Sequence, residues 1–230
     1  MNKKLIENFI LLVSGITKTE DLLQEVVLFL KNKTNTTSVG IRLKDGQDYP
    51  YYTTLGFSDH FIKAENFLCK RDECGKVIRD ENGNPILECM CGAVIGQKTN
   101  PNKRYFTKCG SFNLSDTNPE TITDIKENNC MVRGRCLQEG YKSVAVIPIP
   151  YENMIIGSIQ LNNLEEGHFS DELIGTIEEI AKIIGKALGG IVKMEEEKIE
   201  RKKAFKKNLR TIILELQQTS KELLEKHKLE

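Results

Sequence analysis

The chain has 230 residues, with 33 basic against 33 acidic side chains, so net charge gives no basis for binding nucleic acid or another polyanion. Hydrophobic residues make up 39% and charged residues 29%, a composition of the soluble globular class, and the length suits one domain of about 150 residues plus an appendage. No stretch reaches the roughly 18 consecutive apolar residues of a membrane span.

Residues 1–34 predict two helices broken around Ser14-Gly15. Apolar positions 5, 9, 12, 13 and 16 mark one helix face, and Glu7 and Asn8 interrupt what otherwise looks like a signal-peptide core. The second helix opens near Thr17 to Glu20, with Glu20 and Asp21 at its positive end. Residues 36–162 predict a sheet zone. Its strands are Ser38–Leu43, Tyr51–Leu55, Ser143–Ile149 and Met154–Leu161, with Pro150 to Asn153 turning the last pair. From an N-cap at Ser170 the chain reads as helix almost to its end. Ile177, Ile180, Ile184, Ala187, Ile191 and Met194 follow the alternating three-four spacing of a coiled-coil seam. A second seam runs Phe205, Leu209, Ile212, Leu216, Thr219, Leu223, offset by a heptad plus four, which is a stutter.

All seven cysteines fall in one window: Cys69, Cys74, Cys89, Cys91, Cys109, Cys130 and Cys136. The expected location is a reducing cytoplasm, where clustered thiols point to metal or redox roles rather than structural disulfides. Four thiolates suit zinc or an iron–sulfur cluster, with haem on a cysteine axial ligand as a third option. Gly75–Glu88 reads as a β-hairpin with Asn82-Gly83 at its tip, a register that sets Cys74 opposite Cys91 and brings Cys69 and Cys89 near its base. This geometry makes Cys74 a candidate ligand. Cys109 and Cys130 read as ordinary loop thiols. The sequence contains no phosphate-cradling glycine loop, no Ser-His-Asp set and no His-Glu-x-x-His.

The stretch Gly140–Ile149, the strand Ile155–Leu161 and the helix entry Phe169-Ser170-Asp171-Glu172-Leu173 closely resemble the C-terminal half of a GAF domain. The resemblance covers about residues 15–192. Glu65–Cys69, Leu87–Gly92 and Arg135-Cys136 are similar to stretches of cysteine-rich sensory GAF domains in prokaryotic signalling proteins such as sensor histidine kinases. The resemblance implies a mixed α/β (α+β), GAF/PAS-like fold: a mostly antiparallel sheet, N- and C-terminal helices on one face, and a ligand pocket on the other. It also implies Cys69, Cys89, Cys91 and Cys136 as the ligand set, with Cys74 as the alternate. The organisation that follows is a sensory domain at 1–192, holding a cysteine-rich insert at about 58–136, and a coiled-coil signalling helix at 193–230. A homodimer through the terminal helices would pass a signal to an output domain or to a partner kinase or regulator.

Other specialities of the family can be weighed on the same residues. Bilin attachment uses a Cys-His pair, and no cysteine here precedes a histidine. The cyclic-nucleotide signature is matched only in part by Asn162-Asn163 and Phe169–Glu172. Met90-Cys91-Gly92 and Cys136 resemble cysteine segments of free methionine sulfoxide reductase, a GAF-fold enzyme. That enzyme binds its substrate ammonium through carboxylates, and Val144, Gln160 and Asn162 stand at the corresponding positions. The expectation is therefore a non-enzymatic sensor, with two alternatives: a small-molecule-binding GAF domain carrying a structural zinc, or a thiol-dependent reductase.

Overall fold

The computed structural model describes residues 2–115, 118–127 and 133–226, with side chains of the last helix described to Arg210. Helices α1 (Asn2–Val13) and α2 (Thr19–Thr34) open the chain, parted at Gly15, whose φ of 88° ends the first helix. Strands β1 (Ser38–Leu43) and β2 (Tyr51–Leu55) follow, then helices α3 (Asp59–Glu65) and α4 (Cys89–Ile95), strand β3 (Phe112–Leu114), and helices α5 (Pro119–Glu127) and α6 (Arg135–Gln138). Strands β4 (Ser143–Tyr151) and β5 (Met154–Asn163) precede the long helix α7 (Asp171–Lys226), capped by Ser170 Oγ, which accepts from the Leu173 N–H. The strands form one antiparallel sheet in the order β2-β1-β5-β4-β3.

Strand periodicity sends alternate residues to opposite faces. Val39, Ile41, Ala145, Ile147, Ile149, Ile159 and Leu161 share one face and are fully buried. On this face α7 approaches β4 so closely that a Cβ on Gly185 would collide with the Pro150 carbonyl and touch Ile149. The α7 residues Ile174, Ile177, Ile180, Ala181, Ile184 and Leu188 are buried at this end of the helix. The opposite face carries Ser38, Gly40, Arg42, Val144, Val146, Ser158, Gln160 and Asn162, and the segment between β2 and β4 packs over it. There Phe57, Phe61, Met90, Tyr105, Phe106, Phe112 and Tyr141 form a second core. Because β3 pairs only with Val144–Val146, Pro148 and Pro150 fall on a stretch of β4 beyond its reach, where a missing N–H is tolerated.

The chain divides into two compact units, residues 1–188 and 189–230. In the second, which is helical to Lys226, Met194, Ile199, Phe205 and Leu209 are exposed.

The expected hairpin at 75–88 is replaced by two tight turns made by an eight-residue repeat, Arg71–Ile78 (RDECGKVI) and Arg79–Ile86 (RDENGNPI). Asp72 Oδ1 accepts from the N–H groups of Cys74 and Lys76, and Asp80 Oδ1 from those of Asn82 and Asn84. Each turn closes on a left-handed glycine, Gly75 or Gly83, whose carbonyl accepts from the arginine that opens its repeat. Lys70, Ile78 and Ile86 then complete a ring of three backbone hydrogen bonds of 2.8–2.9 Å. Because each aspartate satisfies the backbone of its own turn, the segment folds back every eight residues. Cys74 therefore lies exposed in the first turn, and does not face Cys91, which is buried in α4.

Candidate functional site

The sheet face opposite α7 holds a row of buried polar groups centred on Gln160 of β5. Gln160 Oε1 accepts from Tyr51 OH at 2.7 Å and from Cys91 Sγ at 3.4 Å. Its Nε2 donates to Asn162 Oδ1 at 3.0 Å and lies 3.6 Å from Cys136 Sγ. One amide thus joins two thiols from distant segments, one on α4 and one on α6.

Arg42 of β1 completes the row and is fully buried. Its guanidinium lies 3.6 Å over the Tyr51 ring and donates to the carbonyls of Tyr49, Asn66 and Glu65. These bonds tie α3 and the loop before β2 to the centre of the sheet. Burial pushes the Tyr51 hydroxyl well above its ordinary range, against the opposing pull of Arg42, so it stays a neutral donor to Gln160.

The thiol pocket beside this row leaves about 40 Å³ in which a water-sized sphere can be centred, room for a few waters. Cys89, Met90, Cys91, Arg135, Cys136 and Gln160 line it, with Glu65 as its carboxylate and Val144 and Val146 as its apolar floor. Burial raises the Cys91 thiol to about 12, with Arg42 opposing and Cys89 adding to the rise. Burial likewise raises Cys136, reinforced by Cys89 and Cys91. Cys91 and Cys136 are therefore neutral thiols near neutral pH. Cys89 enters α4 with φ of 64°, left-handed backbone that a non-glycine residue rarely adopts. Glu65 does not stand free: Arg135 Nε lies 3.2 Å and Arg133 Nη1 3.6 Å from its oxygens, and Arg133 also binds Glu88 at 2.8 Å.

The structure brings Cys89, Cys91 and Cys136 to one pocket, and it places Cys69 next to the loop before β2. Cys69 bridges Leu87 and points its sulfur at the Gln47 carbonyl, 3.1 Å away. The Asp48 carboxylate accepts from the N–H groups of Leu68, Tyr49 and Cys69. Burial would raise Asp48, but these donors outweigh it and hold the carboxyl below its ordinary range. Burial first, and Asp48 second, raise the Cys69 thiol to about 11. Cys74 is exposed, and Cys109 is exposed beside Glu178 of α7. Cys130 lies outside the described residues. Among the described residues, no three His, Cys, Asp or Glu side chains are arranged to hold a metal ion as they stand.

Comparison with solved structures settles the fold. A GAF domain from a Coxiella burnetii phosphoenolpyruvate-protein phosphotransferase superposes with a TM-score of 0.58 at 16% identity, covering 84% of this chain and 95% of that one. The fold is that of a GAF domain. The GAF domain of an Acinetobacter phosphoenolpyruvate-protein phosphotransferase gives 0.56 at 12% identity, covering 85% and 98%. Free methionine-R-sulfoxide reductase from Neisseria meningitidis, solved in complex with its substrate, gives 0.57 at 14% identity, covering 84% and 91%. No family model matches the sequence, and no curated protein matches it. Identities this low speak for the GAF fold alone, so the chemistry must be argued from the pocket. No helix among the described residues is long and apolar enough to cross a membrane.

Arg42, Tyr51, Glu65 and Gln160 hold this GAF pocket together without having been sequence candidates. Parity alone gives only a weak signal: Arg42 and Gln160 alternate with Ile41 and Ile159 as outward strand residues do, and it is the segment between β2 and β4 packed over that face that buries them.

Proposed function

We propose that this chain is the sensory GAF domain of a signal-transduction protein, and that its input site is the thiol pocket of Cys89, Cys91 and Cys136. The reading rests on one observation: thiols from α4 and α6 converge on Gln160 at the sheet face opposite α7. A soft metal centre, zinc or an iron–sulfur cluster, suits such a donor set. A cation would also offset the burial, and the smaller repulsion from neighbouring sulfurs, that keeps Cys91 and Cys136 protonated. Cys69 is the proposed fourth ligand, and binding would require its sulfur to turn from the Gln47 carbonyl. Drawing these sulfurs together would pull on α4 and α6. The second unit, with its exposed apolar stripe, is the proposed dimeric coiled coil carrying that shift to an output domain or partner.

The alternative is an enzyme similar to free methionine sulfoxide reductase. It is favoured by the paired placement of Cys91 and Cys136 on one amide and by the likeness in fold. Against it, the pocket carboxylate Glu65 is already matched by two arginines, which leaves no free anion among the described residues of the pocket for a substrate ammonium.

Anaerobic purification followed by metal analysis and a visible spectrum separates the readings. Iron with sulfide makes the site a cluster sensor, and about one zinc per chain makes it a zinc centre. Metal-free protein that reduces free methionine sulfoxide overturns the proposal in favour of the enzyme.

A further inference from the structure

Helix α4 serves two cavities. Its first turn lines the thiol pocket, while Gly92, Ile95 and Gly96 line a second, larger cavity of about 490 Å³. That volume lies in the range of small-molecule sites. Four segments enclose it: the β1–β2 loop, the second turn of the octad repeat, the end of α4, and the β4–β5 turn. Tyr49, Leu87, Ile95 and Ile155 give it an apolar and aromatic lining.

Its charges are unbalanced. Lys44, Arg79 and Lys98 face a single carboxylate, Asp80, whose Oδ1 is already committed to two backbone N–H groups. Among the described residues the Lys44 and Lys98 side chains have no hydrogen-bond or ion-pair partner. Arg79 is held in place by Gln47 Oε1 and the Gly83 carbonyl. The backbone presents Lys98 deliberately: Lys98 N donates to Ala93 O and Gln97 N to Val94 O, a Schellman closure of α4. Gln97 takes the left-handed position of that motif with φ of 54°, where glycine is the unstrained choice.

We propose that this cavity is a second ligand site, taking an organic anion: a carboxylate or phosphate carried on an apolar or aromatic body. The cations meet the anionic group, and the Tyr49–Ile155 lining covers the body. This site stands apart from the thiol chemistry and survives any outcome at the cysteines. The shared helix α4 gives its ligand a direct mechanical route to Cys91.

The test uses 8-anilinonaphthalene-1-sulfonate, a sulfonate on an aromatic body, titrated into the full chain by fluorescence. Its uncharged analogue N-phenyl-1-naphthylamine serves as the comparison. The expected result is saturable binding, weakened about tenfold by the Lys44→Gln/Lys98→Gln double variant and for the uncharged analogue. Both lysines are exposed, so the variant keeps the fold. Amide shifts induced by the sulfonate probe are expected at residues 44–49, 95–98 and 153–156. Equal affinity for the variant, equal affinity for the two probes, or shifts confined to other segments would overturn the site.

Discussion

The two faces of the sheet are cut from the same strands, residue by residue, and are chemically opposite. Toward α7 stand Val39, Ile41, Ala145, Ile147, Ile149, Ile159 and Leu161, all apolar and all fully buried. One residue along, the polar Ser38, Arg42, Ser158, Gln160 and Asn162 are just as buried, interleaved with Gly40, Val144 and Val146. An apolar face needs only shape to hold a helix against it. A polar one must find partners for each group, and several atoms here, including Arg42 Nε, Ser158 Oγ and Asn162 Nδ2, have none among the described residues. Such a face is expensive as scaffolding.

The largest effect should come from breaking the polar face at its anchor. Arg42→Met leaves three backbone carbonyls, one of them buried and two partly buried, without their donor, and an expected loss of about 3 kcal/mol would appear as a lower urea midpoint. The helix face should answer to shape instead. Gly185→Ala drives a methyl into the Pro150 carbonyl and should cost about 1–3 kcal/mol in the same assay. Gln160→Leu keeps the volume but strands Tyr51 OH, and about 1–2 kcal/mol is expected, together with a changed reactivity of Cys91 and Cys136 toward thiol reagents.

The thiols add a pH dependence that the helix face lacks. In the metal-free fold Cys69 is raised to about 11 and Cys91 to about 12, against an ordinary thiol value of 9.0. An unfolded chain therefore loses these protons first. Their contribution is complete below about pH 9 and is lost as pH rises toward 11–12, so urea midpoints should fall between about pH 8 and pH 10.5. Cys69→Ala/Cys91→Ala should flatten that slope. The smallest effect belongs to the second unit: Phe205→Glu should change the stability of residues 1–188 by less than about 0.5 kcal/mol, and should act only on self-association.

Much of this architecture is legible in the sequence. The strands show because β-branched runs alternate between turn residues, and the final helix shows because Ser170 caps a three-four apolar stripe. The polar face is harder to read, since Arg42 looks like an outward strand residue until the neighbouring strand and the crossing segment are known. The octad repeat was visible as RDECGKVI followed by RDENGNPI, but Asn82-Gly83 alone suggested a hairpin. It took the paired aspartates to show two turns instead. Grouping the cysteines needs three-dimensional information, because Cys89 and Cys136 meet only through the fold while Cys69, close to Cys74 in sequence, turns its sulfur to Gln47.

The central claim is that the pocket thiols, and not the cysteine window as a whole, form the input site. Metal bound per chain, measured by elemental analysis on anaerobically prepared wild type, Cys91→Ser, Cys136→Ser, Cys74→Ser and Cys109→Ser, tests it most directly. The account expects metal to be lost with Cys91 or Cys136 and retained with Cys74 or Cys109. Retention in the two pocket variants, or loss on changing Cys74, would contradict it.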